Sequence, residues 1–180
     1  MPIYAYIILF GAWLAWFSAF LSRKRATGAA QTKKQARWGI LLEGIAFALL
    51  WQGRFWERRP GWKLVPATVL LASAVLLAWT GVSALGRHWR IDAALNSDHR
   101  LVRSGPYSFV RHPIYASMLC MLLGTGLLLT PWQLFLPAIC IFLIGTEIRV
   151  RIEDALLASH FGEQFTAYKR KVPAYIPWLR

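Results

Sequence analysis

The chain has 180 residues, of which 57% are hydrophobic and 16% are charged, and its mean hydropathy is +0.40. This composition excludes an ordinary soluble domain of the same size and indicates an integral membrane protein. The formal net charge of +13 is explained by a basic rim beside anionic lipids, so we expect membrane lipids, and no nucleic acid, as partners.

Five apolar runs follow one another along the chain. A hydrocarbon layer of about 30 Å requires about 20 apolar helical residues, so the sequence predicts an all-α integral membrane protein with about five transmembrane helices. Gly124 and Gly126 favour close helix packing within the fourth run, and Thr130-Pro131 predicts a tight antiparallel hairpin with the fifth. The runs are Ile3 to Leu21, Trp38 to Trp51, Leu64 to Leu85, Pro113 to Thr130 and Trp132 to Thr146.

The second run is short and contains a carboxylate, Glu43. An ionisable residue within a membrane segment is by default a candidate functional residue. The alternative is a Glu43 that faces the helix bundle and forms hydrogen bonds within the protein. The sequence leaves both interpretations open.

The basic residues predict the orientation of the spans. With five spans, loops that carry six, five and six Lys or Arg residues share one face, 17 in total, and a loop with four lies on the other. Cytoplasmic loops carry the excess of Lys and Arg. We therefore expect the N-terminus outside and the C-terminus in the cytoplasm.

Two polar regions then lie on the cytoplasmic face, residues 86–112 and 147–180. In the first, Gly105-Pro106 predicts a turn, and Pro113 suits the first turn of a helix while moving His112 out of the α region. We expect His112 and Tyr115 to lie at the mouth of this helix, facing water.

In the second polar region, Arg149, Glu153 and Asp154 follow at helical spacing. A cation and two carboxylates can then meet on one side of a helix, either as a site or as an ion pair at the membrane boundary. Phe161, Phe165 and Tyr168 also recur at helical spacing. Packing of a C-terminal helix onto the bundle is the simpler interpretation of that stripe, and closure of a pocket is the other.

Five motifs follow one another in the second half of the chain: Leu101-Val-x-x-Gly105-Pro-Tyr107, Arg111-His-Pro-x-Tyr115, Arg149-x3-Glu153-Asp154, Phe161-Gly162-x5-Tyr168 and Val172-Pro-x3-Pro177. In this order they resemble the isoprenylcysteine carboxyl methyltransferase family and its relatives among membrane phospholipid methyltransferases. The resemblance covers about residues 80–180, and the first two spans match only in hydrophobicity and number.

The resemblance implies methyl transfer from S-adenosylmethionine, with S-adenosylhomocysteine as product, to a lipophilic acceptor that enters from the bilayer. This reaction depends mainly on alignment and exclusion of water, so we expect no metal. It also implies a single domain over residues 1–180, with three spans in residues 1–85 and the cofactor-binding and catalytic half, with two spans and a cytosolic C-terminal helix that completes the site, in residues 86–180. The implied cofactor-binding residues are His99, Arg100, Leu101, Val102, Tyr107, His112, Pro113, Ile114, Tyr115 and Glu153.

The acceptor is the open question at this stage. Arg149, with Glu153 and Asp154, forms the implied catalytic set, and its planar guanidinium suits the carboxylate of an isoprenylcysteine-like molecule. An amine acceptor, as in N-methylation of an aminophospholipid, would instead favour Glu153 or Asp154 near the nitrogen. A non-enzymatic membrane scaffold or transport accessory is the further alternative. The sequence does not indicate an oligomeric state.

Overall fold

A computed structural model describes residues 1–21, 35–52, 61–86 and 100–177. This part of the chain is all helical and contains no strand. Short 3-10 turns at Gly61–Lys63 and Gly105–Ser108 precede the third and fourth helices. The helices are α1 (Ile3–Leu21), α2 (Ala36–Leu50), α3 (Leu64–Leu85), α4 (Pro113–Leu129), α5 (Trp132–Phe161) and α6 (Glu163–Lys171).

The five apolar runs are confirmed as helices, and the hairpin between α4 and α5 turns at Thr130-Pro131 as predicted. Helix α5 continues to Phe161, well beyond its apolar part, because residues 147–161 contain no proline or glycine and helix formation propagates through them. The first part of the second polar region, residues 147–161, is therefore an extension of the fifth helix.

Within the described residues, three helical segments are long and apolar enough to cross a membrane: Ile3–Leu21, Gly61–Leu85 and Trp132–Phe161. Helix α4 is apolar and has 17 residues, and α2 has 15. These lengths and the composition identify an integral membrane protein. A count of five spans stays a prediction.

The helices pack as two sets joined by α4. Helix α3 lies between α1 and α4, and α5 packs along α2. One apolar cluster joins α1, α3 and α4 through Leu9, Leu71 and Met121, and a second joins α2, α4 and α5 through Leu122 and Phe142. Because α4 contacts both sets, it holds the segment that precedes it, which forms part of the site, close to α5.

Glycines allow the closest helix contacts. A Cβ on Gly124 would lie 2.8 Å from Leu71 Cγ, and one on Gly126 would lie 2.1 Å from the Phe135 ring, so the predicted packing role of these glycines is confirmed. Helices α2 and α5 approach in the same way, since a Cβ on Gly145 would lie 2.8 Å from the carbonyl oxygen of Gly39.

Candidate active site

The segment before α4 folds as its glycine and proline residues predict. Gly105 adopts φ +61° and begins a 3-10 turn with Pro106 at its start. His112 has φ −126° and ψ 67°, outside the α region, and Pro113 is the first residue of α4. This geometry places the His112 ring directly at the start of α4.

The C-terminal strap, residues 172–177, covers this segment. The Arg111 and His112 amides donate to the carbonyl oxygens of Pro173 and Ala174, both at 2.8 Å. His112 is only 6% exposed and Tyr115 4%. The expectation that these two side chains face water is therefore wrong, because the strap is hydrogen-bonded along the segment.

Two consecutive carboxylates of α5 flank the His112 imidazole. His112 Nε2 lies 3.0 Å from Asp154 Oδ1, and Nδ1 lies 3.4 Å from Glu153 Oε2. Burial opposes the charged ring and lowers the pKa of His112, but the hydrogen bonds to Asp154 and Glu153 outweigh it, so this pKa is raised above its ordinary value. A doubly protonated imidazolium matches two carboxylate neighbours.

Asp154 joins three parts of the chain. Besides His112, its carboxylate binds Arg111 Nη2 at 3.0 Å and Lys169 Nζ at 2.9 Å. Arg111 also donates through Nη1 to the carbonyl oxygen of Val172. Asp154 thereby connects α5, α6 and the segment before α4, and its buried charge is matched by cations on each side.

Arg149 lies one helical turn before Glu153, and the ion pair that the structure shows for it is with Glu43 of α2. Arg149 Nη1 is 2.7 Å from Glu43 Oε2, and Thr146 Oγ1 donates to Glu43 Oε1 at 3.1 Å. The guanidinium carbon lies 4.9 Å from the centre of the Tyr115 ring, within range of a cation–π interaction. Glu43 therefore faces the bundle and bonds within the protein, which was one of the two interpretations of the sequence.

Glu153 is the more accessible of the two carboxylates that flank His112. Its side chain is 24% exposed, against 6% for the side chain of Asp154. The Tyr115 hydroxyl donates to Glu153 Oε1, so one carboxylate oxygen faces the phenol and the other faces His112. This fixes the orientation of Glu153 while leaving it reachable.

Helix α6 packs over the 3-10 turn. The Tyr168 hydroxyl donates to the carbonyl oxygen of Tyr107 at 2.5 Å, and Phe165 is fully buried. Burial raises the pKa of Tyr168 to about 12 and that of Tyr107 well above its usual range. Packing of the C-terminal helix is confirmed for Phe165 and Tyr168, whereas Phe161 is half-buried.

The remaining predicted residues divide by exposure. Pro113 is buried, Leu101, Val102 and Ile114 are half-buried, and Arg100 is exposed. His99 lies outside the described residues. The structure thus brings together His112, Tyr115, Arg149, Glu153 and Asp154. Tyr107 lies in the 3-10 turn under α6.

Three members of the cluster were not in the predicted set. Arg111 directly precedes His112 in its motif, so its position was a signal that the sequence offered. Lys169 and Glu43 join from α6 and α2, and their partners are distant along the chain. Helical spacing within one element does not reveal such pairs.

The assembled site combines anionic, cationic and aromatic groups under a protein cover. The reachable Glu153 carboxylate and the Tyr115 ring suit a cationic ligand group, because ring faces and carboxylates both attract cations. Arg149 suits an anionic one. The arrangement can therefore place two ligands of opposite charge side by side.

The sequence is similar to a known protein family and to several known proteins. The model of a family described as "Isoprenylcysteine carboxyl methyltransferase (ICMT) family" matches residues 66–159, which include every member of the cluster except Glu43 and Lys169. The Protein-S-isoprenylcysteine O-methyltransferase of Schizosaccharomyces pombe is 27% identical over 185 residues, covering 94% of this chain and 74% of that protein.

Two further relatives match over shorter lengths. The cobalt-zinc-cadmium resistance protein CzcN of Cupriavidus metallidurans is 30% identical over 145 residues, covering 79% of this chain and 62% of that protein. The Protein-S-isoprenylcysteine O-methyltransferase of Saccharomyces cerevisiae is 36% identical over 84 residues, covering 46% and 35%. The chain thus spans less than two thirds of the length of these two relatives.

Proposed function

The chain belongs to the isoprenylcysteine carboxyl methyltransferase family, and on that premise we propose that it transfers a methyl group from S-adenosylmethionine to the carboxylate of a lipophilic, isoprenylcysteine-like acceptor. The observation that carries the proposal is the single cluster in which Glu153 and Tyr115 adjoin Arg149. It offers an anionic, aromatic place for a cationic donor beside a cation for an anionic acceptor.

The donor set fits S-adenosylmethionine, whose sulfonium and amino groups are positive. Glu153 and the rings of Tyr107 and Tyr115 would hold it, with the His112 imidazolium orienting Glu153. The segments from Arg100 to Val102 and from Pro113 to Ile114 would complete the pocket. When bound, S-adenosylmethionine would supply a methyl group on a sulfonium sulfur: an acceptor carboxylate oxygen would form the new C–O bond as the C–S bond breaks, and S-adenosylhomocysteine would leave as the neutral thioether.

The chain contributes orientation and exclusion of water. Tyr115 and His112 each contact one oxygen of Glu153, so the carboxylate is held before any ligand arrives. Asp154 fixes the other side of His112 through its own cationic partners. Since an in-line displacement gains chiefly from alignment in a dry site, these residues act by positioning, and no proton transfer is required of them.

Arg149 is proposed to bind the acceptor carboxylate. A guanidinium forms two parallel hydrogen bonds to a carboxylate, which a lysine cannot reproduce. Its position 4.9 Å from the Tyr115 ring supports this proposal, because the acceptor carboxylate would then lie next to the residues proposed for the cofactor. An apolar acceptor tail would remain among the helices, reached from the bilayer.

The proposed placement in the membrane follows the charge bias. We propose five spans with the N-terminus outside, and the site, α6 and the C-terminus on the cytoplasmic side. The three N-terminal helices would then support a catalytic half, residues 86–180, within one domain.

The test combines binding with product analysis. Purified protein in detergent should gain thermal stability with S-adenosylhomocysteine, and methyl-labelled S-adenosylmethionine should label the carboxyl of an N-acylated S-farnesylcysteine, whose amine is blocked. Absence of both would refute the methyltransferase proposal. Label on the nitrogen of an added aminophospholipid, with none on the acid, would refute the carboxylate acceptor alone.

Two substitutions separate the ligands. Arg149→Lys keeps the charge but loses the paired hydrogen bonds, about 1.5–3 kcal/mol, so turnover of the acid should fall at least tenfold while S-adenosylhomocysteine affinity is nearly unchanged. Glu153→Gln should chiefly weaken cofactor binding. Equal loss of cofactor affinity in both variants would show that Arg149 does not serve the acceptor.

A further inference from the structure

Glu43 is a buried carboxylate that the proposed chemistry does not use directly. It lies in the middle of α2, is 2% exposed, and stands outside the segment that the family model matches. Isolated carboxylates are costly to bury, so the burial of Glu43 calls for a partner. That partner is Arg149, the residue proposed to bind the acceptor.

The backbone around Glu43 is shaped for this contact. Gly39, one turn earlier, lies against the Arg149 side chain, since a Cβ there would be 2.4 Å from Arg149 Cγ. Gly145 of α5 lets the two helices meet at backbone distance. The aliphatic part of Arg149 therefore runs along Gly39 and brings its guanidinium to Glu43.

Each oxygen of Glu43 has a separate partner. Oε2 receives the hydrogen bond from Arg149 Nη1 at 2.7 Å, and Oε1 receives one from Thr146 at 3.1 Å. Thr146 precedes Arg149 by three residues on the same face of α5. Both of these partners of Glu43 lie on α5, and Thr146 supplies a hydrogen bond to Glu43 that is separate from the contact with Arg149.

We infer that Glu43 is a positioning residue that holds the Arg149 guanidinium above the Tyr115 ring and so sets where the acceptor carboxylate binds. The inference rests on the proposed function of Arg149. A free arginine side chain samples many rotamers, and fixing it in one of them costs conformational entropy. Glu43 fixes Arg149 before the acceptor arrives, so the effect of Glu43 appears in acceptor binding. Glu43 itself touches neither ligand.

The experiment compares Glu43→Gln with Thr130→Val as a matched control. Thr130 also forms a buried hydrogen bond to α2, donating to the carbonyl oxygen of Leu50 at 2.9 Å, but it is not part of the site. For each variant we would measure the melting temperature, the S-adenosylhomocysteine affinity, and kcat and KM for N-acylated S-farnesylcysteine.

Both variants should melt earlier than the wild type, and only Glu43→Gln should raise the acceptor KM, by at least fivefold, with S-adenosylhomocysteine affinity within twofold. An unchanged KM in a folded Glu43→Gln protein would overturn the inference and leave the proposed function intact. A wild type that methylates no acid would overturn both.

Thr146→Val keeps the test decisive if Glu43→Gln does not fold. It removes only the hydroxyl that orients Glu43 and preserves both charges and the side-chain shape. The expected result is a smaller rise in acceptor KM, about two- to threefold, without a change in S-adenosylhomocysteine affinity. A KM equal to that of the wild type in this variant would overturn the inference.

Discussion

Replacing Gly39 with alanine should separate helix packing from helix propensity, because α2 offers a matched control. A Cβ on Gly39 would lie 2.4 Å from Arg149 Cγ and 2.6 Å from the carbonyl oxygen of Gly145, whereas a Cβ on Gly44 would meet no atom within 4 Å. Both glycines lie inside the same helix, so both alanines gain the same intrinsic propensity, about 0.5–1 kcal/mol.

The expected cost at Gly39 follows from these distances. Ordinary contact begins near 3.4 Å, so the new methyl is about 1 Å too close to the side chain and about 0.8 Å too close to a carbonyl oxygen that is fixed in α5. Overpacking of this kind costs about 1–3 kcal/mol. Gly39→Ala should therefore be destabilised by up to about 2.5 kcal/mol after the propensity gain, while Gly44→Ala is stabilised.

The measurement is the melting temperature in detergent, together with acceptor turnover. Because the propensity gain is common to both variants, they should differ by the overpacking cost of about 1–3 kcal/mol, which corresponds to about 2–12 °C for a chain of this size. Moving α2 away by about 1 Å would also lengthen the 2.7 Å contact between Glu43 and Arg149, so Gly39→Ala should lose turnover as well. Equal melting temperatures and equal turnover would refute the proposed contact between α2 and α5.

Three further predictions address the charges. Asp154→Asn should destabilise the fold by about 3–5 kcal/mol, since it leaves buried cations unmatched, whereas Glu147→Gln, which breaks an exposed pair, should cost at most about 1 kcal/mol; thermal melts of both would show it. Because the pKa of His112 is raised, the stabilising contribution of His112 is complete below about pH 6.5 and is lost as the pH rises through the raised pKa. The melting temperature of the wild type should therefore fall across that pH interval, and that of His112→Gln should depend less on pH. A reporter fused after residue 180 should behave as cytoplasmic and one at residue 57 as external, and cytoplasmic labelling of both would show that α2 does not span.

The helices could be predicted from the sequence because hydrophobic runs and proline positions act locally. The bounds of α1 and α3 agree with their apolar runs, and the start of α4 at Pro113 follows from the restriction of φ in proline. The motif residues His112, Tyr115 and Glu153 also converge as a group. Their roles toward a cofactor stay a prediction.

The long-range pairs could not be predicted in the same way. Glu43 and Arg149 are 106 residues apart, and no period along α2 or α5 identifies which polar groups will meet across them. The burial of His112 was missed for a related reason, since the strap that covers it is a non-helical segment at the far end of the sequence. Such contacts depend on how complete elements dock.

The strap also imposes an order on the assembly of the protein during its synthesis. The amides of Arg111 and His112 are bound by carbonyl groups of residues 173 and 174, 62 positions further along the chain. At about 5–20 residues per second, a ribosome needs about 3–12 s to make that stretch, during which the helices before it are already available to the membrane. A nascent chain that stalls in this interval would leave a protein inserted in the bilayer with an unassembled site, so inserted protein and competent protein should appear at measurably different times during synthesis.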